Sequence, residues 1–190
     1  MSEIMLFPLG SVVLPEGKMR LRIFEPRYKR LVTEASKGDG TFGICLYEKD
    51  EHHPSGDLSL NGALVKIVDF ESLPDGLLGI TVVGIKRFAT KRVRVESDGL
   101  RFAKVEFLPS WDVKSVPEEQ SYISLQLQKV YTQFPQIGEL YDQCFFDDAS
   151  WVSQRWLELL PVNLEQFDYL VRQQDCVEAM RFLSAAIEKE

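Results

Sequence analysis

Two long apolar runs, Gly62–Leu73 (GALVKIVDFESL) and Leu77–Phe88 (LLGITVVGIKRF), are separated by Pro74-Asp75-Gly76. Proline presets the backbone angle for a turn, aspartate bonds its own backbone, and glycine takes the positive φ that other residues avoid. The triplet therefore predicts a tight reversal between two long strands. Other segments alternate in the same way. Met19, Leu21 and Ile23 interleave with Lys18, Arg20 and Arg22, a period of two with one buried face. Val93 and Val95 interleave with Arg92, Arg94 and Glu96. Ser97-Asp98-Gly99 then marks a turn into a returning strand from Phe102 to Leu108. Long strands, tight turns and few helices predict a barrel or a strongly coiled sheet.

One early helix interrupts this pattern. In LRIFEPRYKRLV an alternating run stops at Glu25-Pro26. Proline is tolerated at the first helical position, and Glu25 sets a carboxylate at the positive end of the helix dipole. Tyr28, Leu31, Val32 and Ala35 then form one apolar face, with Lys29 and Arg30 towards solvent. The stretch reads as punctuation between strand and helix, not as a reactive site. Gly38 and Gly40 end the helix. Gly38-Asp39-Gly40-Thr41-Phe42-Gly43 matches GxGxxG in letters only. A dinucleotide loop must follow a strand and open a helix, and here the order is reversed.

From about Ser115 the period changes to helical. Ile123, Leu127, Val130, Tyr131 and Phe134 make one stripe, which Pro135 ends. Asp148 or Ser150 can cap a helix burying Val152, Trp156, Leu159 and Leu160. Asn163 can cap another ahead of Phe167, Leu170 and Val171, and Asp175 starts a last one burying Cys176, Met180, Leu183 and Ile187. Charge divides at the same place. Residues 1–110 carry a net +1 and residues 111–190 a net −8, within a total of −7. The expected organisation is a β-rich lobe over 1–110 and an α-helical lobe over 111–190.

Recognisable catalytic chemistry is not found. GxxxxGK[ST], HExxH and GxSxG are absent, and the two histidines, His52 and His53, share one polar run read as a loop. Cys45, Cys144 and Cys176 are dispersed, with no CxxC, and read as free thiols. No catalytic residue, metal or cofactor is expected. No apolar run approaches the roughly 20 residues that span a bilayer, and MSEIMLFPLG lacks a basic signal start, so the cytoplasm is the expected location.

The ordered N-terminal motifs resemble a known family. Phe7-Pro8-Leu9, Val13-Leu14-Pro15 with Gly17, Leu21, Ile23-Phe24-Glu25 and Arg27-Tyr28 are similar to the Lon N-terminal, or substrate-binding, domain. Phe42-Gly43-Ile44, the Gly62–Val68 strand, Asp75-Gly76, and Gly84 with Arg87-Phe88 continue the resemblance. Trp156–Pro161, Phe167–Val171 and the final helix resemble the family's helical tail. The resemblance implies an α+β fold: a PUA-like β pseudo-barrel with one packed helix, followed by a helical bundle. In ATP-dependent Lon proteases this domain precedes an AAA+ ATPase and a Ser-Lys peptidase. The chain runs from Met1 to Glu190 without either, which suggests a stand-alone, bacterial-type member and not a peptidase.

The resemblance implies a non-catalytic module that binds unfolded polypeptide or a protein partner, such as a protease system. Tyr141, Phe145 and Phe146, aromatic residues beside acids and without clean helical period, are the candidate contact residues. The competing reading is that these rings cap the helical core under a loop. PUA-like barrels also bind RNA, and Lys86, Arg87, Lys91, Arg92 and Arg94 form a basic cluster on consecutive strands. The near balance of charge in that half and the acidic helical half argue against nucleic acid. An enzyme using a cleft between barrel and bundle is a third reading, to be judged by a perturbed carboxylate beside a pocket.

Overall fold

The computed structural model describes residues 1–49 and 56–189, so His52 and His53 lie outside the described residues. Six strands form one sheet: β1 (Ser2–Leu9), β2 (Lys18–Ile23), β3 (Thr41–Glu48), β4 (Asp57–Ser72), β5 (Leu78–Val95) and β6 (Arg101–Phe107). Their order is β2-β5-β4-β3-β1-β6, and β6 also pairs with β5. That last pairing closes five strands into a ring and leaves β2 outside it. Closure depends on the length of β5. Residues 78–83 take β2 as a neighbour, and Phe88–Val95 take β6. Register shifts between Leu64 and Val65, Ile67 and Asp69, and Thr90 and Arg92 bend the long strands as closure requires. The β4–β5 turn falls at Pro74-Asp75-Gly76 and the β5–β6 turn at Asp98-Gly99. Gly76 and Gly99 have φ of 82° and 90°.

Helix α1 (Pro26–Lys37) crosses between β2 and β3, which is why β1 and β3 can lie parallel. Pro26 opens it and Tyr28, Leu31, Val32 and Ala35 are its buried face. Arg30 keeps the solvent side expected of it, with its side chain 38% exposed. It bonds Glu96 at 2.5 Å and Asp98 at 3.1 Å, tying the helix to the β5–β6 hairpin. The glycine loop follows α1 and opens β3. Its Asp39 carboxylate accepts bonds from the Thr41 amide and hydroxyl.

After β6 come α2 (Ser121–Gln133), a short α3 (Pro135–Gly138), α4 (Ala149–Leu159), α5 (Leu164–Val171) and α6 (Val177–Ala186). Helix α2 stops before Phe134, so that ring leaves the stripe and stays 45% exposed. Asp148 caps α4 by accepting from the Ser150 amide, and Asn163 caps α5 by accepting from Gln166. Helix α4 is buried on every side from Ala149 to Leu157, polar residues included. It is the central helix, and its core includes Val12, Leu14 and Leu46 from the barrel half. The helical core thus reaches onto one flank of the barrel, whose own interior is a separate apolar cluster that includes Phe42, Ile44 and Val65.

Two arginines lock that junction. Arg87 is buried and donates to the carbonyls of Val171, Gln173 and Pro109, with its guanidinium 4.9 Å from the Trp111 ring. Burial pushes its pKa down to about 10, still far enough above neutrality to keep every donor. Arg155, fully buried, donates to Pro15 carbonyl and to the Glu158 carboxylate, which also accepts from the Leu14 amide at 2.7 Å. Gly84 serves the same junction. A Cβ there would collide with the Leu14 carbonyl, because residues 14–17 lie directly on β5. Gly84, Arg87 and Phe88, the G-x-x-R-F motif, are thus a packing device.

Candidate binding groove

Where β2 ends and α1 begins, Ile23 turns into the core while Phe24 stands 61% exposed. Beside it runs a groove of about 690 Å³, lined by the end of β1, by β2, and by Phe24, Arg27, Tyr28, Tyr47 and Arg101. One wall is aromatic: the Phe7 and Tyr28 rings stack at 3.9 Å and 4°. Arg27 lies 4.8 Å over Tyr28 and bonds Glu25 at 3.3 Å. Arg22 pairs with Asp75. Arg20 and Arg101 have no carboxylate partner among the described residues. Four guanidiniums and one carboxylate, Glu25, thus line a partly apolar groove. Such a surface can hold a chain segment that combines acidic and apolar side chains.

The three candidate contact residues gather around Trp151. The Tyr141 ring lies 5.8 Å from Trp151 and 5.4 Å from Tyr131. Its hydroxyl accepts from the Lys18 amide, and burial pushes its pKa up to about 12. Phe146 meets Trp151 edge-on at 5.5 Å and is half-buried. Phe145 lies 6.2 Å from Trp151 and is 42% exposed. Tyr141 and Phe146 therefore pack into the helical core, and Phe145 forms the accessible rim of the cluster.

The basic cluster disperses on folding. Arg87 is internal, Lys86 sits 4.0 Å over the Phe107 ring, Lys91 faces Glu106 at 3.4 Å, and Arg94 pairs with Glu3 and Glu96. Only Arg92 of the five stands exposed without an ion pair among the described residues. A second cleft, about 610 Å³ between barrel and helices, is lined by Gly10, Leu46, Glu158, Leu160 and Asn163 among others. Burial raises the pKa of its Glu158 carboxyl, against the pull of Arg155. That carboxylate is already committed to Arg155 and Leu14, so the cleft's one perturbed acid serves the junction between the lobes.

The period-two pattern sets Arg20 and Arg22 on the outer face of β2, and Glu25–Arg27 is the punctuation between strand and helix. The groove exists because β1, β3 and β6 bring Pro8, Tyr47 and Arg101 beside them, a juxtaposition that no local pattern encodes.

A PUA-like barrel carrying an inserted helix and a helical tail defines the class of this protein. The family described as ATP-dependent protease La (LON) substrate-binding domain matches residues 3–178. The chain belongs to that family. It is similar to a Lon N-terminal domain protein from Xanthomonas campestris, with 28% identity, a TM-score of 0.76, and 99% and 100% of the two chains covered. The N-terminal domain of a Mycobacterium avium complex Lon protease shares the fold, at 14% identity and a TM-score of 0.65 over 97% of each chain. Among curated relatives, Lon protease of Treponema pallidum is 25% identical over 94% of this chain and 23% of its own length. Lon protease of Cytophaga hutchinsonii is 29% identical over 72% and 17%. The chain thus spans about a fifth of the length of these relatives. No helix among the described residues is long and apolar enough to cross a membrane.

Proposed function

We propose that this protein is a non-catalytic polypeptide-binding module of the cytoplasm, holding unfolded segments or one protein partner in the groove beside β2. The observation that carries the reading is the groove itself. It pairs an exposed aromatic, Phe24, with Arg20 and Arg101, which lack carboxylate partners among the described residues, in a domain whose family is described by substrate binding. Phe145, the exposed edge of the Tyr141–Phe145–Phe146 cluster, provides a second apolar contact outside the groove. Of the residues that would make an RNA surface, Arg87 is buried, and Lys91 and Arg94 stand beside the carboxylates of Glu106 and Glu3, which would repel phosphate; this favours polypeptide over nucleic acid.

The test is fluorescence anisotropy with one labelled polypeptide, held either unfolded or folded, at two salt concentrations. The unfolded form is expected to bind and the folded form not. Phe24→Ser should weaken binding by roughly ten-fold, the loss of one buried aromatic anchor, and Phe145→Ser by less. Equal binding of both forms, or none, rejects recognition of unfolded chain. Unchanged affinity in Phe24→Ser rejects the groove.

A further inference from the structure

Strand β2 is paired on one side only. Its register with β5 runs from Lys18↔Val83 to Ile23↔Leu78, and no strand among the described residues lies on the other side. In an antiparallel ladder the backbone groups of successive residues point alternately to the partner and away from it. The Gly17 carbonyl bonds the Gly84 amide, so Gly17, Met19, Leu21 and Ile23 face β5. The Lys18 amide bonds the Tyr141 hydroxyl at 2.9 Å, which fixes Lys18, Arg20 and Arg22 as the outward set. Tyr141 therefore covers the start of the free edge. The amides and carbonyls of Arg20 and Arg22 have no partner among the described residues, and both residues line the groove. Unpaired strand edges are templates for another strand, and native proteins usually blunt them.

We infer that the groove takes an extended acidic segment of another protein, added as a strand to β2 through the backbone of Arg20 and Arg22. This deepens the polypeptide-binding reading and rests on it. Residues of an added strand alternate between faces. One set would lie beside the Arg20 and Arg22 side chains, and the other would turn towards Pro8, Leu9 and Leu21. Acidic residues fit the first set and apolar residues the second. A second copy of this chain is the poorer occupant, because edge-to-edge pairing of two β2 strands sets arginine against arginine. RNA phosphates would satisfy the guanidiniums but not the open backbone donors and acceptors at strand spacing.

The experiment titrates the full chain against a short fluorescein-labelled peptide alternating Glu and Val. Matched peptides replace Glu by Lys, or carry N-methyl groups on alternate amides. A permanently unfolded labelled polypeptide runs in parallel. The Glu–Val peptide is expected to bind, and its lysine counterpart not to. N-methylation on the pairing side should weaken it by roughly ten-fold, as should Arg20→Glu, an exposed site whose folding is verified by its thermal midpoint. If the unfolded polypeptide binds but the Glu–Val peptide does not, or binds equally well when N-methylated, strand addition is overturned and the broader reading survives. If neither ligand binds, both fall. Displacement of the peptide by single-stranded oligouridylate at equal concentration overturns the choice of polypeptide over phosphate.

Discussion

Replacing Arg87 by alanine removes the donor that three main-chain carbonyls share. Those carbonyls belong to Pro109, in the segment leaving the barrel, and to Val171 and Gln173, at the end of α5. The change thus acts where barrel and helices meet. Alanine relieves the cost of burying a cation, which is what pulls the pKa to about 10. It also strands buried acceptors at about 1–3 kcal/mol each, opens a cavity, and loses the contact with Trp111. The stranded acceptors and the cavity outweigh the relieved desolvation, and the net cost is expected to be about 3–5 kcal/mol. With a urea slope near 2–3 kcal/mol/M, the unfolding midpoint should fall by about 1–2 M. Trp111, Trp151 and Trp156 are all buried, so intrinsic fluorescence reports the transition. Arg87→Lys should recover less than half of the loss, because a compact ammonium cannot match the planar fork or stack on Trp111. Arg92→Ala, exposed on the same strand, is the control and should stay within about 0.5 kcal/mol. A midpoint for Arg87→Ala indistinguishable from the control would show that the arginine does not hold the lobes together.

Four further outcomes follow from the geometry. Gly84→Ala should cost about 2–3 kcal/mol in the same urea assay, since its Cβ meets main-chain atoms of Leu14 that have no rotamer to change. Glu16 has a φ of 70° in the turn closed by the Gly17 amide and Leu14 carbonyl, so Glu16→Gly should gain about 0.5 kcal/mol and raise the melting midpoint by about 1–2 °C. Burial raises all three thiols, Cys45 up to about 12, but only Cys144 is partly exposed, so under native conditions a thiol reagent should label Cys144 first, and peptide mapping after brief exposure checks this. The Arg94 hydrogen bond lowers the Glu3 pKa, Arg94 and then Arg30 lower Glu96, and the Leu100 amide and then Arg30 lower Asp98. A depressed folded pKa means stability that is present above the unfolded carboxylate range and lost as pH falls through the folded value. The gap in melting midpoint between wild type and Arg94→Ala should therefore be small, salt-sensitive and present at pH 7, and should close in acid.

What was legible in the sequence is what neighbours along the chain decide. Pro26 and the Tyr28–Leu31–Val32–Ala35 spacing make α1 whatever packs on it. Pro74-Asp75-Gly76 and Asp98-Gly99 reverse the chain by their own dihedral preferences. Asp148 and Asn163 cap helices through bonds two or three residues away. The ordered family motifs, likewise local, carried the fold class. The tertiary structure decided the rest. Arg155 and Gln154 lie outside the apolar set Val152, Trp156, Leu159 and Leu160 and are interior all the same, because α4 packs on the barrel's Leu14 and on its helical neighbours. Arg87, in a basic run, becomes a clamp. Phe146 and Phe145, adjacent in sequence, part into half-buried and exposed because Trp151 accepts one ring more deeply than the other. The free edge of β2 exists only because β5 outruns the ring it closes. Short-range dihedral and capping preferences are written residue by residue, whereas burial and an open edge depend on which distant segments arrive alongside.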